Sequence, residues 1–228
     1  METLSIETPV HGRLLLRQLK SGINSSNCFP ISIPPVVIVG FHGYAQRAED
    51  MMDTLQALPG SDAWTLVSVQ ALHRFYTRGD QNVVASWMTR QDRDEAIADN
   101  VAYVDRVLDR VAIEIGNQFT ELIPDIYFLG FSQGVAMAYR AALMGRHRAA
   151  GVIAVGGDVP PDVKSVPAER WPRLLIAAGA TDHWYTPDKV AADEAFLTDH
   201  RVAFDTLRYD AGHVFTGIVR SRVSAFVT

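Results

Sequence analysis

The chain has a single cysteine, Cys28, in 228 residues. No intrachain disulfide can form, and neither a cysteine-rich metal site nor a redox pair can be built. There is no H-E-x-x-H pair, and the neighbours Asp182 and His183 face different ways on a short loop, so no metal is expected. No Gly-rich phosphate loop of the P-loop or dinucleotide type follows the first strands, which leaves phosphoryl and hydride transfer as poor fits and calls for no cofactor. Basic residues are outnumbered by acidic ones, and a net charge of -5 offers no face for nucleic acid or a charged membrane surface. No apolar run approaches a membrane span. The stretch from Met1 to Pro9, polar and carrying two glutamates, is unlike a secretory signal, so a cytoplasmic protein is expected. There is no internal repeat and no low-complexity segment.

What is present is a soluble composition at a length that suits one domain, residues 1–228, with a substantial core. The chain is organised around residues 126 to 139. Ile126 to Leu129 is an apolar run of strand type, Gly130-Phe131-Ser132-Gln133-Gly134 follows at once, and Val135 to Met144 has helical composition. Strand, G-x-S-x-G and helix in that order form a nucleophile elbow: a turn so tight that glycines must flank the serine, whose hydroxyl is pushed out at the positive end of the next helix.

Elements alternate along the rest of the chain. Gly12 to Leu19 reads as an edge strand, Ser21 to Pro35 as a loop, and Val36 to Phe41 as a strand buried on both faces. Ala48 to Leu58 is helical and Trp64 to Val69 is a strand. Ala71 to Ser86 has no clean period and reads as a long loop. From Asp92 a helix carries Ile97, Val101, Val104, Leu108, Val111 and Ile115 on one stripe. Beyond the elbow come strands at Gly151 to Val155, Leu174 to Gly179 and Ala203 to Tyr209, with helices at Pro187 to His200 and after His213. Such alternation predicts an α/β fold with a mostly parallel central sheet and helices on both faces. Functional groups should then gather at the carboxyl ends of the strands, where Ser132, Asp182 and His213 all fall.

A serine hydroxyl needs a base, and that base needs a carboxylate to hold its tautomer. His213, after a terminal strand and Gly212, is the histidine best placed to lean over Ser132. Asp158 and Asp182 both follow strands between the serine and the histidine; the later strand favours Asp182. Asp210 reads as a turn residue. The oxyanion would be met by backbone amides, one from Gln133 and one from Tyr44 in the loop after the Val36 to Phe41 strand. His42 is read as shaping that loop rather than acting on substrate. Phe75, Tyr76, Trp87, Trp184, Tyr185 and Phe215 are candidates for an apolar acyl pocket; Arg74, Arg78 and Arg90 could read an acidic substrate, but a solvated loop is the favoured reading of them.

On Phe41-His42-Gly43-Tyr44, Ser86-Trp87, Gly130-Phe131-Ser132-Gln133-Gly134, Gly179 to Pro187 and Gly212-His213, the chain resembles the phospholipase/carboxylesterase family of α/β-hydrolases. That family includes acyl-protein thioesterase-like proteins and small carboxylesterases. The resemblance implies Ser132 as nucleophile, Asp182 as acid, His213 as base, and Tyr44 and Gln133 as oxyanion amides. The chain departs from the family pattern at Val135, at Met88-Thr89 after Trp87, and in an acid loop one residue longer, Asp182 to Pro187. The implied activity is hydrolysis of a small-molecule ester or thioester of small to medium acyl chain, through an acyl-enzyme; a homodimer is admitted. The rival readings are a dienelactone-hydrolase-like or peptidase activity on the same residues, and a catalytically silent binding protein of the same fold.

Overall fold

The structure, a computed structural model, describes residues 2, 4–18, 35–79, 81–116 and 123–228. Cys28 and nearly all of the loop expected at Ser21 to Pro35 lie outside these residues, as does Leu19. Nine strands and five α-helices are formed among them: β1 (Arg13–Arg17), β2 (Val36–Phe41), α1 (Ala48–Gln56), β3 (Thr65–Gln70), β4 (His73–Tyr76), β5 (Val83–Ser86), α2 (Arg93–Gly116), β6 (Asp125–Phe131), α3 (Gln133–Met144), β7 (Gly151–Val155), β8 (Arg173–Gly179), α4 (Pro187–Asp199), β9 (Phe204–Tyr209) and α5 (Gly217–Val227).

Seven strands form one sheet in the order β1-β3-β2-β6-β7-β8-β9. Only β1 runs antiparallel, along β3; every other pair is parallel. The inner strands are apolar on both faces because helices cover both, and their side chains alternate between two cores. Val37, Val39 and Phe41 of β2, Phe128 of β6 and Leu174, Ile176 and Ala178 of β8 pack with α2, α3 and α4. Ile38, Leu129, Ile153 and Leu175 point the other way, onto Met51 and Leu55 of α1 and Val219 and Val223 of α5. The apolar stripe of α2 lies in the first core, with Val104, Leu108, Val111 and Ile115 buried. No helix among the described residues is long and apolar enough to cross a membrane.

One expectation is corrected here. Residues 71–86 are not an irregular loop: β4 and β5 pair as an antiparallel hairpin, His73 opposite Ser86 and Tyr76 opposite Val83. β4 is mostly exposed, whereas Val84, Ala85 and Ser86 of β5 are buried in succession, so neither strand shows an alternating pattern; β5 is also tied through backbone bonds between Ala85 and the turn at residues 45–46.

From β2 the sheet grows toward β3 on one side and toward β6 on the other. That reversal opens a crevice at the carboxyl ends of β2 and β6, the usual place for a ligand in such a sheet. The loop from His42 and the turn at Ser132 both emerge there.

Candidate active site

Ser132 sits between β6 and α3 with φ 53° and ψ −122°, a conformation that side-chain-bearing residues rarely adopt. The turn depends on its flanking glycines. A Cβ on Gly134 would stand 2.1 Å from the carbonyl oxygen of Phe41, and one on Gly130 would stand 2.4 Å from that of Gly134. A serine at the start of a helix normally spends its hydroxyl on a first-turn amide. Ser132 makes no such cap bond. Its backbone is tied instead, its N–H to the Val155 carbonyl at 2.9 Å and its carbonyl to the Val135 N–H at 3.0 Å.

His213 follows β9, and its Nδ1 lies 2.7 Å from Oδ2 of Asp182, which follows β8. The other carboxylate oxygen, Oδ1, accepts the backbone N–H groups of Trp184 at 2.8 Å and Tyr185 at 3.0 Å. Burial by itself raises the Asp182 carboxyl, but the bonds from His213, Tyr185 and Trp184 together outweigh it and hold the group below the usual carboxylate range. An ionised Asp182 requires the His213 proton on Nδ1, which leaves Nε2 as the acceptor. Asp158, the competing acid, is on the surface 3.6 Å from Lys189. Asp210 is exposed.

Ser132 and His213 meet through their neighbours. The Phe131 and His213 rings are 5.1 Å apart, and Gly156, next to the Ser132-bonded Val155, lies against the His213 ring. Among the described residues no hydrogen bond joins the Ser132 hydroxyl to His213; bonds of this kind are often loose before substrate binds.

The loop after β2 lies beside the serine: a Cβ on Gly43 would come within 3.3 Å of Ser132 Cβ. Neither the Tyr44 nor the Gln133 amide finds an acceptor among the described residues. His42 is buried, its Nδ1 2.7 Å from the Gly43 carbonyl and its Nε2 accepting the Ala71 N–H at 3.1 Å. That pairing fixes the neutral ring with its proton on Nδ1, and burial lowers its pKa. Both nitrogens are engaged in holding the loop. The Gln133 side chain adds a clamp: its Oε1 accepts the Trp87 N–H at 3.0 Å and its Nε2 donates to Ser86 Oγ at 3.0 Å and the Met88 carbonyl at 3.2 Å.

The six aromatic candidates divide. Phe75 stacks on Tyr44 at 5.5 Å, and Phe215 lines a cavity with His213. Tyr76 and Trp184 are largely exposed, at 69% and 74%. Trp87 and Tyr185 are corrected to core positions. Trp87 is fully buried with its indole N–H on the His42 carbonyl at 2.8 Å, and Tyr185 is buried with its hydroxyl on Asp193 Oδ2 at 3.1 Å. Sequence reasoning missed Asp193. It is 3% exposed, it also accepts the Val159 N–H at 2.9 Å, and it ties the loop carrying Asp182 to the loop after β7. Its place on the buried stripe Val190, Asp193, Leu197 of α4 was the available signal.

A seven-stranded, mostly parallel sheet with this elbow at its switch point defines an α/β-hydrolase. Acyl-protein thioesterase 2 from Zea mays has the same fold, at TM-score 0.68 and 17% identity over 95% of this chain and 97% of that one. So do the Bacillus cereus carboxylesterase, at TM-score 0.68 and 16% identity over 95% and 93%, and a Mesorhizobium loti carboxylesterase, at 0.65 and 21% over 84% and 87%. Comparison with curated proteins by sequence gives no match. A model of the phospholipase/carboxylesterase family matches residues 32–170, more than half of the chain. The chain belongs to the phospholipase/carboxylesterase family.

Proposed function

We propose that this chain hydrolyses carboxylic esters, thioesters among them, of small to medium acyl chain through an acyl-enzyme. Ser132 attacks the carbonyl carbon while His213 Nε2 takes its proton. Asp182 orients His213 and balances the imidazolium charge, and the Tyr44 and Gln133 amides meet the oxyanion. His213 then returns the proton to the leaving oxygen, and water, activated by the same ring, releases the acid. The reading includes a single catalytic domain acting in the cytoplasm on a small molecule, without metal or cofactor. The observation that carries it is the 2.7 Å contact from Asp182 to His213, beside a serine whose hydroxyl is left free by its own helix.

The test is labelling with a fluorophosphonate probe, run beside a chain-length series of p-nitrophenyl esters, on wild type and Ser132→Ala. Labelling and turnover that both vanish in Ser132→Ala, with the circular dichroism spectrum unchanged, are the expected result. Undiminished esterase activity in that variant would overturn the assignment. So would an unlabelled wild type, which would favour the silent binding protein.

A further inference from the structure

A cavity of about 250 Å³ borders His213. Phe131 and Phe215 form one wall, their rings 6.4 Å apart and inclined at 59°. Gln46, Asp50, Met51 and Thr54 line it as well, and Val214 completes the lining. We infer that this cavity is the alcohol subsite, and that it takes a compact polyhydroxylated alcohol about the size of one sugar ring. The inference rests on the hydrolase reading above.

Proton balance decides which half of the ester enters it. In acylation the bond from the carbonyl carbon to the alcohol oxygen breaks as the bond to Ser132 Oγ forms. The proton lost by Ser132 passes through His213 Nε2 to the departing oxygen, which leaves as a neutral alcohol. That oxygen must therefore be within hydrogen-bond reach of His213, whereas the acyl carbon need not be. The group attached to the oxygen is the one that meets the cavity bordering His213.

The walls decide its chemistry. The volume is below the roughly 300–1,000 Å³ of sites for drug-sized ligands, so the alcohol is compact. Gln46 spends its Oε1 on the Gly43 N–H at 2.7 Å, which leaves its NH₂ as a donor. The Thr54 hydroxyl donates to the Asp50 carbonyl at 2.9 Å, which leaves its oxygen as an acceptor. Asp50 accepts the Arg47 N–H at 2.8 Å and its guanidinium at 3.3 Å, with carboxylate lone pairs to spare. Donors and acceptors beside Met51 suit hydroxyl groups, which are both. A quaternary ammonium could use the carboxylate and the rings but not the Gln46 donor. A plain alkyl group would strip water from all three polar side chains, with only the apolar lining to offset it. The aromatic wall meets the C–H face of a ring.

The experiment holds the acyl group constant and changes the alcohol: 6-O-butyrylglucose, cyclohexylmethyl butyrate (a ring of equal size without hydroxyls) and butyrylcholine, followed by acid release. The sugar ester should exceed the cyclohexyl ester in kcat/KM by about tenfold or more, chiefly through KM. Asp50→Asn and Thr54→Val should each lower that ratio by about fivefold, the usual worth of one hydrogen bond. A cyclohexyl ester cleaved as well as the sugar ester, butyrylcholine cleaved best, or a ratio indifferent to both substitutions would overturn the subsite. Fluorophosphonate labelling of Ser132, which needs no alcohol, reads the underlying site separately. Labelling without a sugar preference removes the subsite alone, and loss of labelling removes the hydrolase reading with it.

Discussion

Tyr185 gives its backbone N–H to Oδ1 of Asp182 at 3.0 Å, so the carboxylate is aimed by main chain rather than by another side chain. Trp184 does the same at 2.8 Å. In Asp182→Asn these two donors will claim the amide oxygen and turn its NH₂ toward His213 Nδ1. The ring must then carry its proton on Nε2, where it can no longer accept one from Ser132. The expected outcome is a fall in kcat of about 10³- to 10⁴-fold with the thermal midpoint little changed. A loss below tenfold, measured on a p-nitrophenyl ester, would contradict the assigned role.

Asp193 is held by the Val159 N–H and the Tyr185 hydroxyl, both on Oδ2, while Lys164 stands 3.7 Å from Oδ1. Burial raises its pKa, which signals that its charge is a burden to the folded state. Asparagine keeps an oxygen for both donors and sheds the charge; alanine orphans both donors. Urea denaturation should therefore find Asp193→Asn within about 1 kcal/mol of wild type and Asp193→Ala destabilised by about 2–4 kcal/mol. Equal losses for the two variants would refute this account.

The buried His42 predicts a dependence of stability on pH. Burial holds its pKa below the ordinary 6.5, so over the interval between the folded and ordinary values the unfolded chain binds the extra proton. Stability from this residue is complete above pH 6.5 and is lost as pH falls through 6.5 toward the folded value. The unfolding free energy of wild type minus that of His42→Gln should shrink between pH 7 and pH 5. A difference that stays constant or grows on acidification would show that the ring is not kept neutral.

Two glycines at helix starts should respond in opposite ways. Gly134→Ala drives a methyl group into the Phe41 carbonyl, where backbone must move, and should cost about 3 kcal/mol or more, the upper end for overpacking. Nothing lies within 4 Å of a Cβ at Gly217, so Gly217→Ala should be neutral or stabilise by up to about 1 kcal/mol. Melting temperatures of the two variants decide the matter, and a stable Gly134→Ala would mean the elbow is looser than described.

The parts of this fold that were legible in the sequence are those whose environment is uniform. β2, β7 and β8 are apolar on both faces and can be recognised as runs; the stripe of α2 has a clean helical period. The β4–β5 hairpin was illegible because β4 is mostly exposed and β5 is buried at three consecutive residues, so neither alternates. At the site, Ser132 announces itself by the glycines that its turn requires, and Asp182 and His213 by the strands they follow. The directions of loop side chains have no such signature, which is why Trp87 and Tyr185 were expected in a pocket and lie in the core. Asp193 stands in a run of mixed polarity, and only its spacing from Val190 and Leu197 puts it on the inner face.

From Ser132 onward the sheet adds its strands in chain order, β7, β8 and then β9 at the open edge. The family match ends at residue 170, yet Asp182 and His213 come after it. On the proposed function, a chain leaving the ribosome N-terminus first thus has Ser132 in place three strands before His213, its proposed base, has been synthesised. Chains stalled short of residue 213 should stay unlabelled by a fluorophosphonate that marks the finished protein. On the proposed function, the nascent chain is chemically mute until residue 213 arrives.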